Sequence, residues 1–316
     1  MSFIQRDLLI RIQLDGSTFD NGASSVELRG LRCEAMIQNA GGAYGTFARL
    51  MQLRIAGMLP ADLAKLSTLG FSQGFGYKKN SVQVFAVDAE IGQALVFDGS
   101  IYDGSINYNA MPDVMIDIFA STAYDVQLTS AAGASYKGTL DVATMLSALA
   151  AQAGYAFDNS AGVTAKLNNH AAPGSLKDQI ADICASSGVF YDIKPGHPNT
   201  LVIWQRGKTR DAQVIEVSAA TGMVGYPQYT MNGVIVRTLF NPQIEFGRKV
   251  NVVTSIPNFG ANAQRAAVGF SPQPGTVPGS PGVYYVWTVT HELSANLPNG
   301  PWFTTATIGD SGIVGI

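Results

Sequence analysis

From Leu8 the chain alternates. Leu8, Ile10, Ile12 and Leu14 fall on one face of an extended segment, Leu9, Arg11 and Gln13 on the other, and the run stops at Asp15-Gly16. Val26 and Leu28 alternate with Glu27 and Arg29, and Leu31, Cys33, Ala35 and Ile37 resume the period after Gly30. A period of two is that of a strand with one buried face. A glycine between two such runs marks a bulge or bend. Further strands are predicted over residues 44–55, 82–87, 94–108 and 114–119. A short helix interrupts them: Pro60 suits a first turn, Leu59, Leu63 and Leu66 share a face, and Gly70 can close it.

The period then changes. Val142, Met145, Leu146, Leu149 and Ala153 mark one helix face, with Gly154 where a left-handed cap belongs. Ser175 and Asp178 have capping-box spacing; Leu176, Ile180, Ile183 and Cys184 form the apolar face behind them, and Gly188 ends that helix. Residues 189–194 and 201–204 make a hairpin around Pro195-Gly-His-Pro-Asn199. Strands return over 214–217, 233–239, 249–255, 284–290 and 302–308. The segment 270–282 is too rich in Pro and Gly for helix or central strand, and a loop that long usually has a function. The layout is β-rich α+β: a β block over 1–135, a small α/β insert over 136–208, and a second β block over 209–316.

Composition sharpens this picture in one respect. The chain has 316 residues and is 47% hydrophobic, ample for a core, yet only 14% of it is charged against about 25% in an ordinary soluble domain. The net charge of −3 is spread without an acidic tail or basic arm, which excludes a protein built to neutralise phosphates. Two stretches free of acidic and basic residues, 217–236 and 266–291, are broken by Gly, Pro and Asn and do not read as membrane spans. The opening Met-Ser-Phe-Ile-Gln-Arg-Asp lacks the pattern of a secretory signal. Cys33 and Cys184 have no metal or redox spacing and read as buried thiols of a protein made in a reducing cytoplasm.

Fragments of catalytic signatures occur, each without its context. Gly309-Asp-Ser-Gly312 matches a serine-protease nucleophile, but Ser311 leaves no chain for a specificity pocket, and His291 is its sole nearby base. Gly207-Lys-Thr209 follows a strand as a phosphate loop would, yet Val202 stands where the first glycine is needed. His291-Glu292 begins a zinc-protease motif that Ala295 breaks, and His170, His197 and His291 share no ligand spacing. The tandem Asp98-Gly-Ser-Ile101 and Asp103-Gly-Ser-Ile106 lacks the alternating oxygen ligands of a calcium loop and reads as bulge chemistry. Trp204, Trp287, Trp302, Tyr284 and Tyr285 read as packing anchors rather than a ligand platform. No cofactor or metal is expected.

Three segments resemble the central hub proteins of contractile bacteriophage tail baseplates. In 175–205 a capped helix leads through Val-Phe-Tyr-Asp-Ile and a Pro/Gly turn to Leu-Val-Ile-Trp; in 233–255 a strand meets Leu-Phe-Asn-Pro-Gln-Ile-Glu-Phe-Gly; in 284–309 Val-Thr-His-Glu precedes Pro-Trp-Phe-Thr-Thr. The resemblance implies two tube-forming β-barrel-like domains flanking the insert, and a homotrimer whose six barrels make a pseudo-sixfold ring. Its implied partners are the tail tube protein, the central spike and other baseplate proteins, with DNA as transient cargo and no membrane insertion. Its implied location is the virion tail baseplate, after synthesis in the host cytoplasm. Some larger hubs carry a fused cell-wall-degrading domain; none is expected here, where the sequence runs only a few residues past the last predicted strand.

Interface candidates are Phe270, Pro272, Pro274, Pro278, Pro281, Trp287 and Trp302. Two alternatives remain: a virion-associated cell-wall or polysaccharide hydrolase using Asp98, Asp103 or Glu292, and a carbohydrate-binding β-module using the Trp/Tyr set.

Overall fold

A computed structural model describes residues 6–40, 48–67, 79–89, 92–109, 111, 113–129, 131–230, 233–254 and 282–309. The alternating N-terminal runs form β1 (Asp7–Gln13), β2 (Ser25–Leu28), β3 (Arg32–Ala40) and β4 (Arg49–Ala56). After α1 (Pro60–Leu66) come β5 (Ser81–Asp88), β6 (Gly92–Asn107) and β7 (Met115–Ser121). In α1, Leu63 and Leu66 are buried, but Leu59 is the N-cap, in extended conformation and exposed, so the apolar face begins a turn later than its spacing suggests. Ser67 is the C-cap; Gly70 lies outside the described residues.

The middle of the chain folds as α2 (Tyr124–Leu128), β8 (Ala134–Asp141), α3 (Val142–Gln152), β9 (Ala156–Asp158), β10 (Lys166–Ala172), α4 (Leu176–Ser187), β11 (Val189–Lys194) and β12 (Thr200–Gln205). The capping box of α4 is closed on both sides: Asp178 N–H donates to Ser175 Oγ at 3.3 Å and Ser175 N–H to Asp178 Oδ2 at 3.1 Å. Strands β8 and β10 escape sequence reading because their two-stranded ribbon is largely exposed and leaves no one-sided apolar pattern. The chain ends with β13 (Val214–Ser218), β14 (Gln228–Thr230), β15 (Gly233–Leu239), β16 (Lys249–Val253), β17 (Gly282–Ala295) and β18 (Trp302–Gly309).

One large sheet unites the two ends of the chain. Its order is β14-β15-β18-β17-β3-β4-β7-β6-β5-β1-β2, with β16 also on β17 and β13 on β16. Strand β17 is the splice. It pairs with β18 along one edge; along the other, Gly282–Tyr285 pairs with β16 and Thr288–Ala295 with β3. A bulge between Val286 and Thr288 shifts the parity. Tyr284, Val286 and Val289 enter one core with β13, β15 and β16, whereas Leu293 and Ala295 enter another with β1 and β3–β7. Without the extra residue, one set would face solvent.

A third core lies between α3, α4 and one face of β11–β12. The opposite face of that hairpin carries Phe190, Val202 and Trp204, which pack with Phe246 and Trp287. Gly247 sits at this contact with φ +80°, and a Cβ there would lie 2.3 Å from the Trp204 ring. In β6, the glycines of the Asp-Gly-Ser tandem are close-approach positions: a Cβ at Gly99 would meet the Ser121 carbonyl at 2.6 Å, and one at Gly104 the Leu66 carbonyl at 2.5 Å. The adjoining register shift falls between Ile101 and Asp103.

Gly247→Ala combines a left-handed backbone with overpacking against an indole, so it should cost about 2–4 kcal/mol. A lowered urea midpoint with an unchanged slope is the expected result.

Candidate assembly surface and the joint behind it

Behind the shared sheet, charged side chains from all parts of the chain meet out of water. Arg49 begins β4, Asp192 is on β11, Arg210 precedes β13, and Glu245 follows β15; their side chains are 1–8% exposed. Arg49 Nη2 donates to Asp192 Oδ2 and to Glu245 Oε1, both at 3.1 Å. Arg210 Nη1 donates to Asp192 Oδ2 at 3.1 Å and lies 3.5 Å from Glu245 Oε2. Asn39 of β3 donates to the other Asp192 oxygen at 3.3 Å. At the rim, Arg248 Nε is 2.9 Å from Asp211 and 3.6 Å from Glu245.

Two cations against two carboxylates leave the joint's centre neutral. Burying charges costs several kcal/mol per ion and is tolerated where each is paired and hydrogen-bonded, as here. Burial alone would push Glu245 up, but Arg210, Arg49, Arg248 and Lys194 outweigh it and hold the carboxyl at about 2. His291 of β17 sits against this cluster. Its burial, reinforced by Arg49 and opposed by Glu245, holds it at about 3, so the ring is neutral at ordinary pH. Thr304 Oγ1 donates to the Asn241 carbonyl at 3.4 Å and lies 3.0 Å from His291 Nδ1. The neutral ring thus makes one hydrogen bond with Thr304 through Nδ1, and its Nε2 takes no part in that contact.

The sheet's other side faces outward across β15, β18, β17, β3, β4 and β7. One row of paired positions reads Leu239, Phe303, Glu292, Met36, Gln52, Phe119; the next reads Arg237, Thr305, Thr290, Gln38, Leu50, Ser121. A third places Ser294, Glu34, Arg54 and Asp117 side by side. The charges in these rows pair among themselves. Arg54 is 2.8 Å from Asp117 and 3.5 Å from Glu34, while Arg237 is 3.0 Å from Glu292 and lies over the Phe303 ring at 4.1 Å. The result is a broad face of neutral amides, hydroxyls and scattered apolar side chains, with no lysine in these rows.

The residues singled out from sequence do not converge on a catalytic site. Asp98 lines a cleft of about 450 Å³ with Lys79, Thr122, Asp125, Tyr155 and His197. Burial pushes its carboxyl up, against the Gln83 hydrogen bond of 2.7 Å and His197. Asp103 is opposite Phe119, and Glu292 is paired with Arg237. Trp204 and Trp302 are buried in different cores, and Trp287 packs edge-on to Phe190. Tyr284 is buried, and the Tyr285 hydroxyl donates to the Gly207 carbonyl at 3.4 Å. His170 is 2.8 Å from Asp182, and both thiols are buried.

Ser311, Phe270, Pro272, Pro274, Pro278 and Pro281 lie outside the described residues. Among the described residues no group of three or more His, Cys, Asp or Glu is placed to hold a metal, and no helix is long and apolar enough to cross a membrane. Sequence reading missed Arg49, Asp192, Arg210 and Glu245. The available signal was a charge inside an apolar run, as in Val-Phe-Tyr-Asp192-Ile and Ile-Glu245-Phe.

A family model described as baseplate hub gp41 matches residues 70–264, more than half of the chain. No curated protein sequence matches it. Among solved structures, the tail protein from Neisseria meningitidis MC58 aligns over 97% of both chains at a TM-score of 0.57 and 10% identity. The 43 kDa tail protein of prophage MuSo2 from Shewanella oneidensis covers 96% of this chain and 98% of its own, at 0.54 and 9%. The E. coli c3393 protein is a type VI secretion component with structural similarity to the T4 tail proteins gp27 and gp5. It covers 96% of this chain and 77% of its own, at 0.56 and 8%. At these identities the likeness is one of fold.

Removing one carboxylate from the joint should be severe. Asp192→Asn leaves Arg49 and Arg210 short of a counter-charge and is expected to cost about 3–5 kcal/mol in chemical denaturation. Stability should also fall in acid, because His291 and Glu245 bind fewer protons folded than unfolded. The His291 contribution is intact above about pH 6.5 and is lost towards about 3. That of Glu245 is intact above about 4.5 and is lost towards about 2. His291→Gln should flatten the slope between pH 4.5 and 6.5 in a pH series of urea midpoints.

Proposed function

Since the chain belongs to the baseplate hub gp41 family and is a structural component of a phage tail, we propose that three copies close a ring around a conduit for DNA. The observation that carries this reading is the outward face of the shared sheet, continuous across strands from both ends of the chain and neutral through self-pairing. A wall for a sliding polyanion must not bind phosphates, because each lysine or arginine neutralising one adds a salt-dependent attachment. Glutamine, threonine and spent ion pairs meet that requirement.

In this reading the β blocks at 1–135 and 209–316 stand side by side in each protomer, with the insert at 136–208 braced behind them. Three copies then present six β blocks. That matches a sixfold tail tube protein on one side and a threefold central spike on the other, with other baseplate proteins around the rim. The strands at the ends of the sheet order, β14 and β2, are where neighbours join, since a closed ring leaves no free edge. The role is mechanical and non-catalytic, exercised in the virion after synthesis in the host cytoplasm.

Mass photometry of the protein mixed with its spike should show a complex containing three hub chains; a hub that stays monomeric with the spike present contradicts the ring. The wall is tested separately in phage carrying Gln38→Lys, Leu50→Lys and Thr305→Lys. Tails should assemble normally but eject DNA at least several-fold more slowly, with recovery at higher salt. Normal ejection from assembled triple-variant particles would remove this face from the lumen.

A further inference from the structure

The joint contains a void of about 10 Å³, lined by Ile37, Asn39, Arg49, Ile244, Glu245, Val289 and His291. That is the volume of one water-sized probe. Two of the side chains lining it have a buried polar atom without a protein partner: Nε of Arg49, a donor, and Oδ1 of Asn39, an acceptor. Both residues are 5% exposed. The Asn39 orientation is not arbitrary, because its Nδ2 donates to Asp192 Oδ1, and the flipped amide would set oxygen against carboxylate. An orphaned donor and an orphaned acceptor each cost about 1–3 kcal/mol when buried unpaired.

We infer that this void is a binding site for a single structural water, which accepts from Arg49 Nε–H and donates to Asn39 Oδ1. The chemistry excludes an ion in that role. An anion satisfies the arginine but not the amide oxygen; a cation does the reverse; and the surrounding arginines and carboxylates already balance. Only a group that both donates and accepts completes the set. The His291 ring is on the same wall, and its Nε2, which the Thr304 contact does not use, offers the water a third hydrogen bond in either tautomer. Three hydrogen bonds is the usual complement of a buried water. The site belongs to the joint itself, so it stands or falls independently of the ring and the conduit.

A crystal or cryo-EM map that resolves ordered solvent should show one peak within hydrogen-bonding distance of both Arg49 Nε and Asn39 Oδ1, with no anomalous signal after a bromide soak. An empty void or a bromide peak there overturns the assignment. In solution, ¹⁷O magnetic relaxation dispersion of the full chain should lose one long-lived water on Asn39→Leu. Val289→Ile, which fills the void from its apolar wall without touching a polar group, should lose the same water and covers the case in which Asn39→Leu does not fold. Unchanged dispersion in the folded variants overturns the site.

Discussion

The structure depends on a constraint that is costly to satisfy: two arginines and two carboxylates must be neutralised out of reach of bulk solvent. Arg49, Asp192, Arg210 and Glu245 come from positions spread over nearly two hundred residues, and each is stable in its burial only if the others are in place. The joint therefore acts as a registration device. A hydrophobic contact tolerates sliding, whereas a misplaced pair of buried charges is penalised by several kcal/mol. The insert, the N-terminal strands and the C-terminal strands are thus held in one relative arrangement. What the joint supplies is that fixed arrangement rather than net stability from the charges.

Strand β17 is the covalent counterpart of the joint. Its bulge at Trp287 lets one strand serve two cores, and His291 places a neutral, hydrogen-bonded ring between them. The same bulge turns Trp287 towards Phe190, so the splice in the sheet and the seat of the insert are set by one extra residue. On the outer side, the register that aligns Gln38 with Thr290 and Leu50 also brings Arg54 to Asp117 and Arg237 to Glu292. Neutrality of the face is a consequence of register, not merely of composition.

Much of this was legible in advance. The alternation from Leu8 to Leu14, the capping box at Ser175 and Asp178, and the hairpin after Gly188 all reflect local rules, and each appears where those rules put it. What escaped was non-local. No period reveals that β17 joins β3, because pairing partners separated by some 250 residues leave no mark on either segment. The exposed β8–β10 ribbon has no buried face to read. Asp192 and Glu245 lie within the family-like segments, but their meaning depends on Arg49 and Arg210, which only the fold brings to them. The chain is poor in charge, and several of its few charges are spent inside.

The central claim is that the shared sheet turns its neutral face to a lumen. A threefold reconstruction of the hub bound to tube and spike tests it directly. Gln38, Leu50, Thr290 and Thr305 should line the central channel, with the insert on the outside. A reconstruction that buries those residues against another protein, or turns them to the outer surface, would contradict the account.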